Sequence, residues 1–181
     1  MFALEQIRTP RLILTRIGHG DLDDLVRMYA DPHVTATLGG VRTAPWVEQY
    51  LQKQIAHWDQ HGFGFWTMRD LAAGQFVGRG GLRHAMIEGQ VEIEVGYGLM
   101  AEFWGRGLAT ELALESVRVG FAHLQRPDLV CFTLPANLAS RRVMEKVGFH
   151  FERDIVYAEL PHVLYRLRKT DVTPSDAELS G

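Results

Sequence analysis

The chain has 181 residues, of which 46% are apolar and 23% are charged, so we expect one globular domain with a buried core. A formal net charge of −3 offers no basic surface for nucleic acid, and a single cysteine excludes an internal disulfide. No apolar run reaches membrane-spanning length and the first residues lack a basic-then-apolar leader pattern, so a cytoplasmic location without membrane contact is expected.

Apolar periodicity predicts the elements of the first half of the chain. A strand is expected over residues 9–16, and a helix over residues 20–30 follows it. A second helix is expected over residues 43–61, with a threonine cap and a proline in its first turn. Two strands are then predicted over residues 63–69 and 75–84. Three glycines in the second of them indicate a bulge or a close backbone approach.

Two polar groups in this half resemble parts of metal sites, and each has a simpler explanation. Asp21, Asp23 and Asp24 crowd a helix start, where the helix dipole favours negative charge. His57 and His61 stand four residues apart and can share a helical face. No third ligand lies near them in sequence, and no His-Glu-x-x-His pattern is present. We therefore predict no metal site.

A strand, a glycine turn and a helix follow one another in the middle of the chain. Residues 91–99 alternate in polarity as a half-buried strand does, and residues 109–124 carry small and apolar residues at helical spacing. The turn between them contains Gly105, Arg106 and Gly107. Unpaired N–H groups and the dipole at the helix start favour an anion there, and glycines let it approach the backbone closely.

Two kinds of phosphate-binding turn do not fit this segment. A dinucleotide fold needs a third Gly or Ala where Thr110 stands, and an acidic residue at the end of the next strand, where Leu134 and Pro135 stand. A P-loop needs Gly-Lys followed by Ser or Thr, and the sequence has no Gly-Lys pair. A nucleotide-binding regulatory domain is therefore disfavoured.

The remainder of the chain predicts one buried strand, one helix and a hairpin. The strand covers residues 128–134 and is apolar almost throughout, so Cys131 within it is expected to behave as a small hydrophobic residue and not as a nucleophile. A helix over residues 137–148 ends at a glycine. Strands over residues 150–158 and 162–168 are joined by a turn at the intervening Leu-Pro.

Three segments resemble the N-acetyltransferase (GNAT) superfamily, whose loop pattern is Gln/Arg-x-x-Gly-x-Gly/Ala. The segment Trp104-Gly105-Arg106-Gly107-Leu108-Ala109 matches at the glycine and the alanine, with Trp104 in place of Gln or Arg. Trp-Gly-x-Gly is common in the branch that resembles RimJ and RimL, ribosomal-protein N-terminal acetyltransferases. The Thr-Pro-Arg-Leu-Ile-Leu opening is similar to that branch, and Asn137 followed by Lys-Val-Gly-Phe is similar to the superfamily's late helix.

The resemblance spans residues 9–168 and implies a mixed α/β (GNAT) fold. Its centre would be a mostly antiparallel sheet of six to seven strands, splayed at one parallel pair and flanked by about four helices. The two central strands would part after Leu99 and after Leu134, where a pantetheine arm fills the gap. The implied domain covers residues 9–169, after an N-terminal extension over residues 1–8 and before a polar, disordered tail over residues 170–181.

The resemblance also implies a binding site for acetyl-coenzyme A (acetyl-CoA) as cosubstrate, with no metal. Its residues are Tyr97, Leu99, Met100, Trp104, Gly105, Arg106, Gly107, Leu108, Ala109, Thr110, Asn137, Ser140 and Arg142. Backbone groups of Tyr97 and Leu99 would pair with the arm, and N–H groups of the glycine loop would hold the pyrophosphate. Asn137 and Arg142 are similar to family positions that touch the arm and the phosphates.

Direct transfer to an amine needs a general base and a partner for the departing thiolate. Glu159 lies in an Ala-Glu-Leu segment that partly matches a glutamate motif of the RimL-type branch, without its expected tyrosine. Glu94 is the second candidate base, and Glu92 shares its face but lies farther from the loop. Met144 stands where many family members have a tyrosine, so Ser140 takes the thiolate-binding role, as it does in the RimL-type branch.

The expected function is acetyl transfer from acetyl-CoA to a primary amine in a ternary complex. The acceptor is a protein N-terminus or a small molecule such as a polyamine, an antibiotic or an amino acid, and the sequence does not separate them. A longer acyl donor and a homodimer also stay open. A different class of function is an acyl-CoA-binding sensor that keeps the fold and has lost turnover.

Overall fold

The computed structural model describes residues 4–172. Its strands are β1 (Gln6–Arg8), β2 (Leu12–Arg16), β3 (Phe65–Asp70), β4 (Phe76–Ile87), β5 (Gln90–Leu99), β6 (Asp128–Thr133), β7 (His150–Tyr157) and β8 (Leu160–Arg168). Its helices are α1 (Leu22–Ala30), α2 (Pro32–Thr35), α3 (Ala44–His61), α4 (Leu108–Ala122) and α5 (Leu138–Val147). Short 3-10 turns lie at His19–Asp21, Ala101–Phe103 and Lys169–Asp171.

One sheet of eight strands carries the fold, in the order β1-β2-β3-β4-β5-β6-β8-β7. Only β5 and β6 are parallel neighbours, and all other pairs are antiparallel. The mixed α/β fold with one parallel pair is therefore confirmed. The sheet has one strand more than predicted, because residues 6–8 pair with β2. The short helix α2 is also additional, and Asp31 begins it by accepting a hydrogen bond from the His33 N–H at 2.8 Å.

The parallel pair is joined at a single position. Glu94 of β5 and Val130 of β6 are the only registered partners between these strands. Beyond them the two strands follow different neighbours, β5 along β4 and β6 along β8. The strands therefore part earlier than the positions after Leu99 and Leu134 that the sequence predicted. The gap lies within the sheet, between the carboxyl-terminal halves of β5 and β6.

Helices cover both faces of the sheet. A side chain at Gly80 of β4 would collide with Leu112 of α4, whereas one at Gly98 of β5 would collide with Met28 of α1. Gly80 is the registered partner of Tyr97, the neighbour of Gly98. Because successive strand residues face opposite sides, α4 and α1 lie on opposite faces.

The predicted bulge and close backbone approach are both present in β4. The register against β3 shifts between Met68 and Arg69, which pair with Gly78 and Phe76 and leave Val77 without a registered partner. Gly78 has a φ of 154°, and a Cβ there would lie 2.2 Å from the Gly98 carbonyl oxygen. Any larger residue would push β4 and β5 apart.

The final hairpin turns two residues earlier than predicted. Ala158 and Glu159 occupy the turn with φ values of 48° and 65°, and Leu160 already begins β8. Two successive positive φ angles match the twist of antiparallel strands, which explains the tight turn. Pro161 is tolerated inside β8 because the pairing of β8 with β6 extends only as far as Val163. Toward β6, the missing N–H of Pro161 therefore costs no hydrogen bond between strands.

An ion cluster ties the two halves of the sheet together. The Arg166 guanidinium of β8 donates to Glu92 of β5 at 2.8 and 3.2 Å, to Asp128 of β6 at 3.2 Å and to Glu152 of β7 at 2.6 and 3.3 Å. Its side chain is only 13% exposed. Glu92 is thus a structural partner of Arg166. The hydrogen bond from Arg166 is also the main reason why the pKa of Glu152 lies below its usual value.

We expect Arg166→Met to lower the free energy of unfolding by about 2–4 kcal/mol at neutral pH, because it leaves three carboxylates close together without their cation. Because the pKa of Glu152 is lowered in the folded protein, the stability that Glu152 contributes is present at neutral pH. This contribution is lost as the pH falls through that pKa. The loss caused by the substitution should therefore shrink in acid. Urea denaturation at neutral and acidic pH measures both effects, with exposed Arg168→Met as the control. An equal loss in the two variants would contradict this role for Arg166.

Cys131 is buried as predicted, and burial raises the pKa of its thiol. Within residues 4–172, no helix combines the length and the apolar composition that crossing a membrane requires. The predicted disordered tail begins in the 3-10 turn at Lys169–Asp171. Residues 173–181 lie outside the described residues, as do residues 1–3.

Candidate functional site

The glycine loop ends directly at the start of α4. Gly105 and Gly107 have φ values of 73° and 76°, a left-handed conformation that favours glycine, and Gly107 immediately precedes the helix. The first bond within α4 runs from the Glu111 N–H to the Gly107 carbonyl at 3.1 Å. The backbone N–H groups of residues 108–110 precede that bond and have no partner within the helix. Unpaired N–H groups at a helix start are the feature on which the predicted anion site depends.

Arg11 braces this loop from the first hairpin. Glu111 in the first turn of α4 accepts hydrogen bonds from the Thr9 hydroxyl at 2.6 Å, the Arg11 N–H at 2.8 Å and Arg11 Nε at 2.7 Å. Arg11 Nη1 then donates to the Arg106 carbonyl at 2.7 Å. Burial alone would raise the pKa of Glu111, but these hydrogen bonds outweigh it and lower the pKa. Glu111 thus stays ionised and holds Arg11 over the loop.

Two guanidinium groups lie at the rim of one cavity beside the loop. The cavity has a volume of about 430 Å³, and Arg11, Arg106, Phe103 and Leu108 are among its lining residues. The Arg106 guanidinium lies 5.2 Å from the centre of the Phe103 ring. Two cationic side chains thus lie beside the start of α4, although Asp70 lines the same cavity. Sequence analysis gave Arg106 this place and assigned no role to Arg11, although the Thr-Pro-Arg-Leu motif contains it.

Trp104 connects the loop to the end of β5. Its indole Nε1 donates to the Leu99 carbonyl at 2.9 Å, while half of the residue (51%) stays exposed. The Met100 N–H donates to the Val77 carbonyl at 2.9 Å, and Met100 is buried. Leu99, which the sequence predicted to pair with the cofactor arm, therefore already has one partner on its carbonyl. The Trp-for-Gln replacement gives the loop an anchor on this strand.

A tyrosine and a serine meet across the gap between β5 and α5. The Tyr97 hydroxyl lies 3.0 Å from Ser140 Oγ and donates to the Ser140 carbonyl at 3.2 Å. Burial raises the pKa of Tyr97 well above its usual value, and the neighbouring Cys131 thiol adds to this effect. Tyr97 therefore stays protonated at neutral pH and can donate. Sequence analysis predicted only a backbone role for Tyr97, because strand spacing does not show that its hydroxyl reaches α5.

Asn137 fixes the start of α5. Its Oδ1 accepts from the Ser140 N–H at 3.2 Å, and its Nδ2 donates to Thr133 Oγ1 at 2.9 Å. Both ends of the amide thus orient the turn after β6, as an N-cap residue does. Arg142 is exposed on α5, one residue after Arg141, which binds the Tyr165 hydroxyl at 3.0 Å. Met144, at the position of the family's tyrosine, is buried.

Glu94 lies at the point where β5 and β6 part, and it is only 6% exposed. Its Oε2 accepts a hydrogen bond from Arg83 Nε at 2.5 Å. Its Oε1 lies 3.1 Å from the position that a Cβ on Gly96 would take, so this oxygen extends along the strand toward the gap. One oxygen is thus anchored and the other is directed toward the place where the strands separate.

Aromatic side chains surround the Arg83–Glu94 pair. The Arg83 guanidinium lies 5.5 Å from the centre of the Phe65 ring, and Tyr50 of α3 and Tyr157 of β7 are near enough to affect its pKa. The Tyr157 ring lies 4.6 Å from that of Phe132 in β6. Glu94 therefore sits on a face of the sheet lined by rings, opposite the α4 face that Tyr97 occupies.

Glu159, the first candidate base from sequence, occupies the tip of the β7–β8 hairpin. Its side chain is exposed and makes no hydrogen bond or ion pair within residues 4–172. The fold therefore separates the two candidate glutamates by environment, one buried and paired at the strand junction and the other on an exposed turn two residues beyond Tyr157.

A third histidine, from β4, lies beside the histidine pair that the sequence places on α3. His84 lies beside His57 and His61 of α3, and one ring nitrogen from each residue falls within 4.8 Å of the others. His84 lies more than twenty residues after His61 in the sequence. Spacing along the chain therefore gave no sign that a third histidine would lie beside the other two.

Comparisons with known proteins agree with this geometry. A family model described as an acetyltransferase (GNAT) domain matches residues 11–150. FsC-acetyl coenzyme A-N(2)-transacetylase from Aspergillus fumigatus is 29% identical over 184 residues, which cover 95% of this chain and 72% of that protein. An acetyltransferase from Agrobacterium tumefaciens superposes with a TM-score of 0.81 at 26% identity, over 93% of this chain and 97% of that one. Ribosomal-protein-S5-alanine acetyltransferase from Vibrio fischeri has the same fold, with a TM-score of 0.72 at 18% identity, over 93% and 99%.

Proposed function

The chain belongs to the acetyltransferase (GNAT) domain family and is an N-acetyltransferase, and on this premise we propose that it transfers an acetyl group directly from acetyl-CoA to a primary amine. One observation carries the proposal. The glycine loop at the start of α4 lies at the end of β5, the strand that parts from β6 beyond Glu94. A pyrophosphate bound at this loop would lie beside the gap, which an extended pantetheine arm could enter.

The loop and its arginines would bind the phosphates of the donor. N–H groups of residues 108–110 would donate to the pyrophosphate, and the left-handed glycines let it reach the backbone. Arg106 and Arg11 would add charge at the rim of the adjoining cavity. Backbone groups of Tyr97, Leu99 and Met100 border the gap, with the Leu99 carbonyl shared with Trp104. Asn137 would act by orienting α5, and Arg142 by facing the phosphates from its exposed position.

Tyr97 and Ser140 would stabilise the departing thiolate. The amine nitrogen attacks the acetyl carbonyl carbon, and the C–S bond breaks with its electron pair on sulfur. Their hydroxyls, 3.0 Å apart, can donate a hydrogen bond to that sulfur, which leaves as a thiolate, while the proton of the attacking nitrogen passes to the general base. The tyrosine absent from the late helix, where Met144 stands, is thus replaced by one from β5.

We expect Tyr97→Phe and Ser140→Ala each to lower kcat, by roughly tenfold to a hundredfold, because each removes one hydrogen bond to the leaving group, worth about 1–3 kcal/mol. The KM for acetyl-CoA should change little. The double variant should cost less than the product of the two single effects, since the hydroxyls act as one unit. Steady-state kinetics on the four proteins measures this coupling. Fully multiplicative effects would show that the two groups act separately.

Glu94 is the residue that we assign to the acceptor nitrogen and its proton. Its buried carboxylate lies at the strand junction, with one oxygen held by Arg83 and the other directed toward the gap. An ammonium group on the ring-lined face would be attracted to it, and would lose its proton as the nitrogen attacks. Glu159, on the hairpin tip two residues beyond Tyr157, stays the alternative base.

Two acceptor classes have support. The Thr-Pro-Arg-Leu opening and the Trp-Gly-x-Gly loop resemble the RimJ/RimL branch, which favours a protein N-terminus. The 29% identical Aspergillus fumigatus protein is named for a transacetylation at N(2) of FsC, which favours a different amine. Transfer to a primary amine beside Glu94 would use the same chemistry for either class of acceptor.

Thiol release from acetyl-CoA, followed with a panel of N-terminal peptides, polyamines and amino acids, tests the function. We expect release that depends on one of these amines, together with acetylation of that amine in the mass spectrum. Saturable acetyl-CoA binding with no release on any amine would overturn the proposed transfer and favour an acyl-CoA sensor.

A further inference from the structure

Three histidines from distant parts of the chain form a cluster on the outside of the sheet. His57 and His61 lie one helical turn apart near the end of α3, and His84 lies on β4. Their ring centres are 4.6 Å (His57 to His61), 4.4 Å (His61 to His84) and 5.3 Å (His57 to His84) apart. One ring nitrogen from each residue lies within 4.8 Å of the other two.

We propose that His57, His61 and His84 bind a divalent transition-metal ion, with Zn²⁺ as the first choice, through three imidazole nitrogens and a fourth position open to water. Imidazole ligands suit Zn²⁺, Ni²⁺ and Cu²⁺ and do not suit Mg²⁺ or Ca²⁺, which prefer oxygen. A three-nitrogen set with one open position is a common zinc arrangement.

Hydrogen bonding prepares His57 as a ligand. Its Nδ1 lies 2.9 Å from the Phe63 carbonyl, which can only accept, so Nδ1 carries the proton and Nε2 is the lone-pair nitrogen. Such a backbone partner on the second ring nitrogen is typical of metal-binding histidines. Nε2 lies 3.2 Å from His84 Nδ1 and 3.1 Å from the His84 N–H. Without a metal, the lone pair of Nε2 therefore accepts from the His84 backbone N–H and from a proton on His84 Nδ1, and a metal bound at Nε2 would replace both hydrogen bonds.

Only small movements separate this cluster from metal geometry. Metal–nitrogen distances of about 2.0–2.1 Å in a tetrahedron place the nitrogens about 3.3 Å apart. The His57–His84 pair already has this spacing, and His61 is exposed at the helix end, so its ring can rotate inward. Phe63 lies beneath the cluster, with its ring 5.1 Å from His57 and 5.2 Å from His84. Arg83 and Arg126 add positive charge nearby, so we expect micromolar and not nanomolar affinity.

The cluster lies beside the Arg83–Glu94 pair in the sheet register but far from the glycine loop. His84 follows Arg83 along β4, and successive strand residues face opposite sides, so His84 and Glu94 lie on different faces. His84 pairs with Ile93, six residues before Leu99 on β5 (99 minus 93), or about 20 Å along the strand. A metal there would tie the end of α3 to β4, and would not touch the glycine loop. We therefore expect it to stabilise the fold without taking part in transfer.

Titration of chelator-treated, untagged protein with Zn²⁺ tests the proposal, by calorimetry and by the visible absorption of Co²⁺ as a substitute. We expect one Zn²⁺ per chain with a micromolar Kd, intense Co²⁺ bands typical of four-coordination, and a rise in Tm with Zn²⁺. His61→Gln, at an exposed position, should keep the circular dichroism spectrum and weaken Zn²⁺ binding at least tenfold.

His150→Gln is the matched control, because His150 is also exposed and lies at the start of β7 outside the cluster. It should bind Zn²⁺ as the wild type does. If the wild type binds no Zn²⁺ at about 100 μM, or if His61→Gln binds as tightly as the wild type, the three-histidine site is wrong. Acetyl-CoA turnover is not needed for any of these measurements, so the outcome does not depend on the proposed transfer reaction.

Discussion

Glu94→Gln should lower kcat by about 10²- to 10⁴-fold while leaving the binding of acetyl-CoA intact. Glutamine keeps the size of the side chain and its hydrogen bond with Arg83, but it carries no charge for an ammonium and cannot accept a proton. The proposed acetyl-CoA site uses the loop and backbone groups of β5, and this substitution changes neither. Steady-state kinetics and calorimetric titration with acetyl-CoA separate the two effects. A rate that still rises with pH in the variant would report the amine's own ionisation.

Two further glutamates make this experiment decisive. Glu92→Gln changes the same face of the same strand, but Glu92 is bound to Arg166 and not to the gap, so kcat should change less than tenfold. Glu159→Gln tests the exposed hairpin tip and should also cost less than about tenfold. A large loss in Glu159→Gln with full activity in Glu94→Gln would move the base to the hairpin. If neither substitution matters, the amine arrives neutral, and proximity with oxyanion stabilisation accounts for the rate.

Gly107→Val should raise the KM for acetyl-CoA on the order of a hundredfold. Gly107 has a φ of 76°, which a β-branched residue strongly disfavours, so the loop would shift at the start of α4. The added side chain would also stand between the pyrophosphate and its backbone donors, and each charge-assisted hydrogen bond lost costs about 1.5–3 kcal/mol. kcat at saturating cofactor should fall much less. Initial rates over a wide range of acetyl-CoA concentration give both constants.

Gly89→Val provides the control for backbone strain. Gly89 has a φ of 82° in the β4–β5 turn, and a Cβ there would meet nothing within 4 Å. The substitution imposes comparable strain far from the loop, so it should lower the Tm and leave the KM for acetyl-CoA unchanged. Unchanged KM in Gly107→Val, in a folded protein, would instead show that the pyrophosphate lies elsewhere.

Periodicity predicted the longer elements well because each buries one face against the rest of the chain. The strand over residues 91–99 and the helix over residues 109–124 correspond to β5 and α4 with small shifts at their ends. The three-residue strand β1 and the four-residue helix α2 were missed, since such short segments hold too few residues to show a period. The final turn was misplaced because proline was taken as the turn residue, whereas Ala158 and Glu159 adopt the positive φ angles.

Parts of the site that depend on one continuous segment were predicted, and parts that depend on folding were not. The glycine loop lies within a few residues of the helix that it begins, so its motif indicates the left-handed glycines and the helix start directly. The contact of Tyr97 with Ser140, the brace from Arg11 to the Arg106 carbonyl and the approach of His84 to His57 join segments far apart in sequence. Residue spacing carries no information about such contacts, because they arise from strand register and helix packing.

The single registered pair between β5 and β6 has a consequence for how the chain folds. Strands β1 to β5 are sequence-ordered antiparallel neighbours, and β6, β8 and β7 form a second group that is local in sequence. Each group can assemble through short loops. Joining the two groups closes a long loop that contains α4, and it adds only one registered pair between β5 and β6 and the Arg166 ion cluster. We expect the two groups to form first and to dock last. A cofactor that fills the gap would then slow the unfolding of the junction more than that of either group.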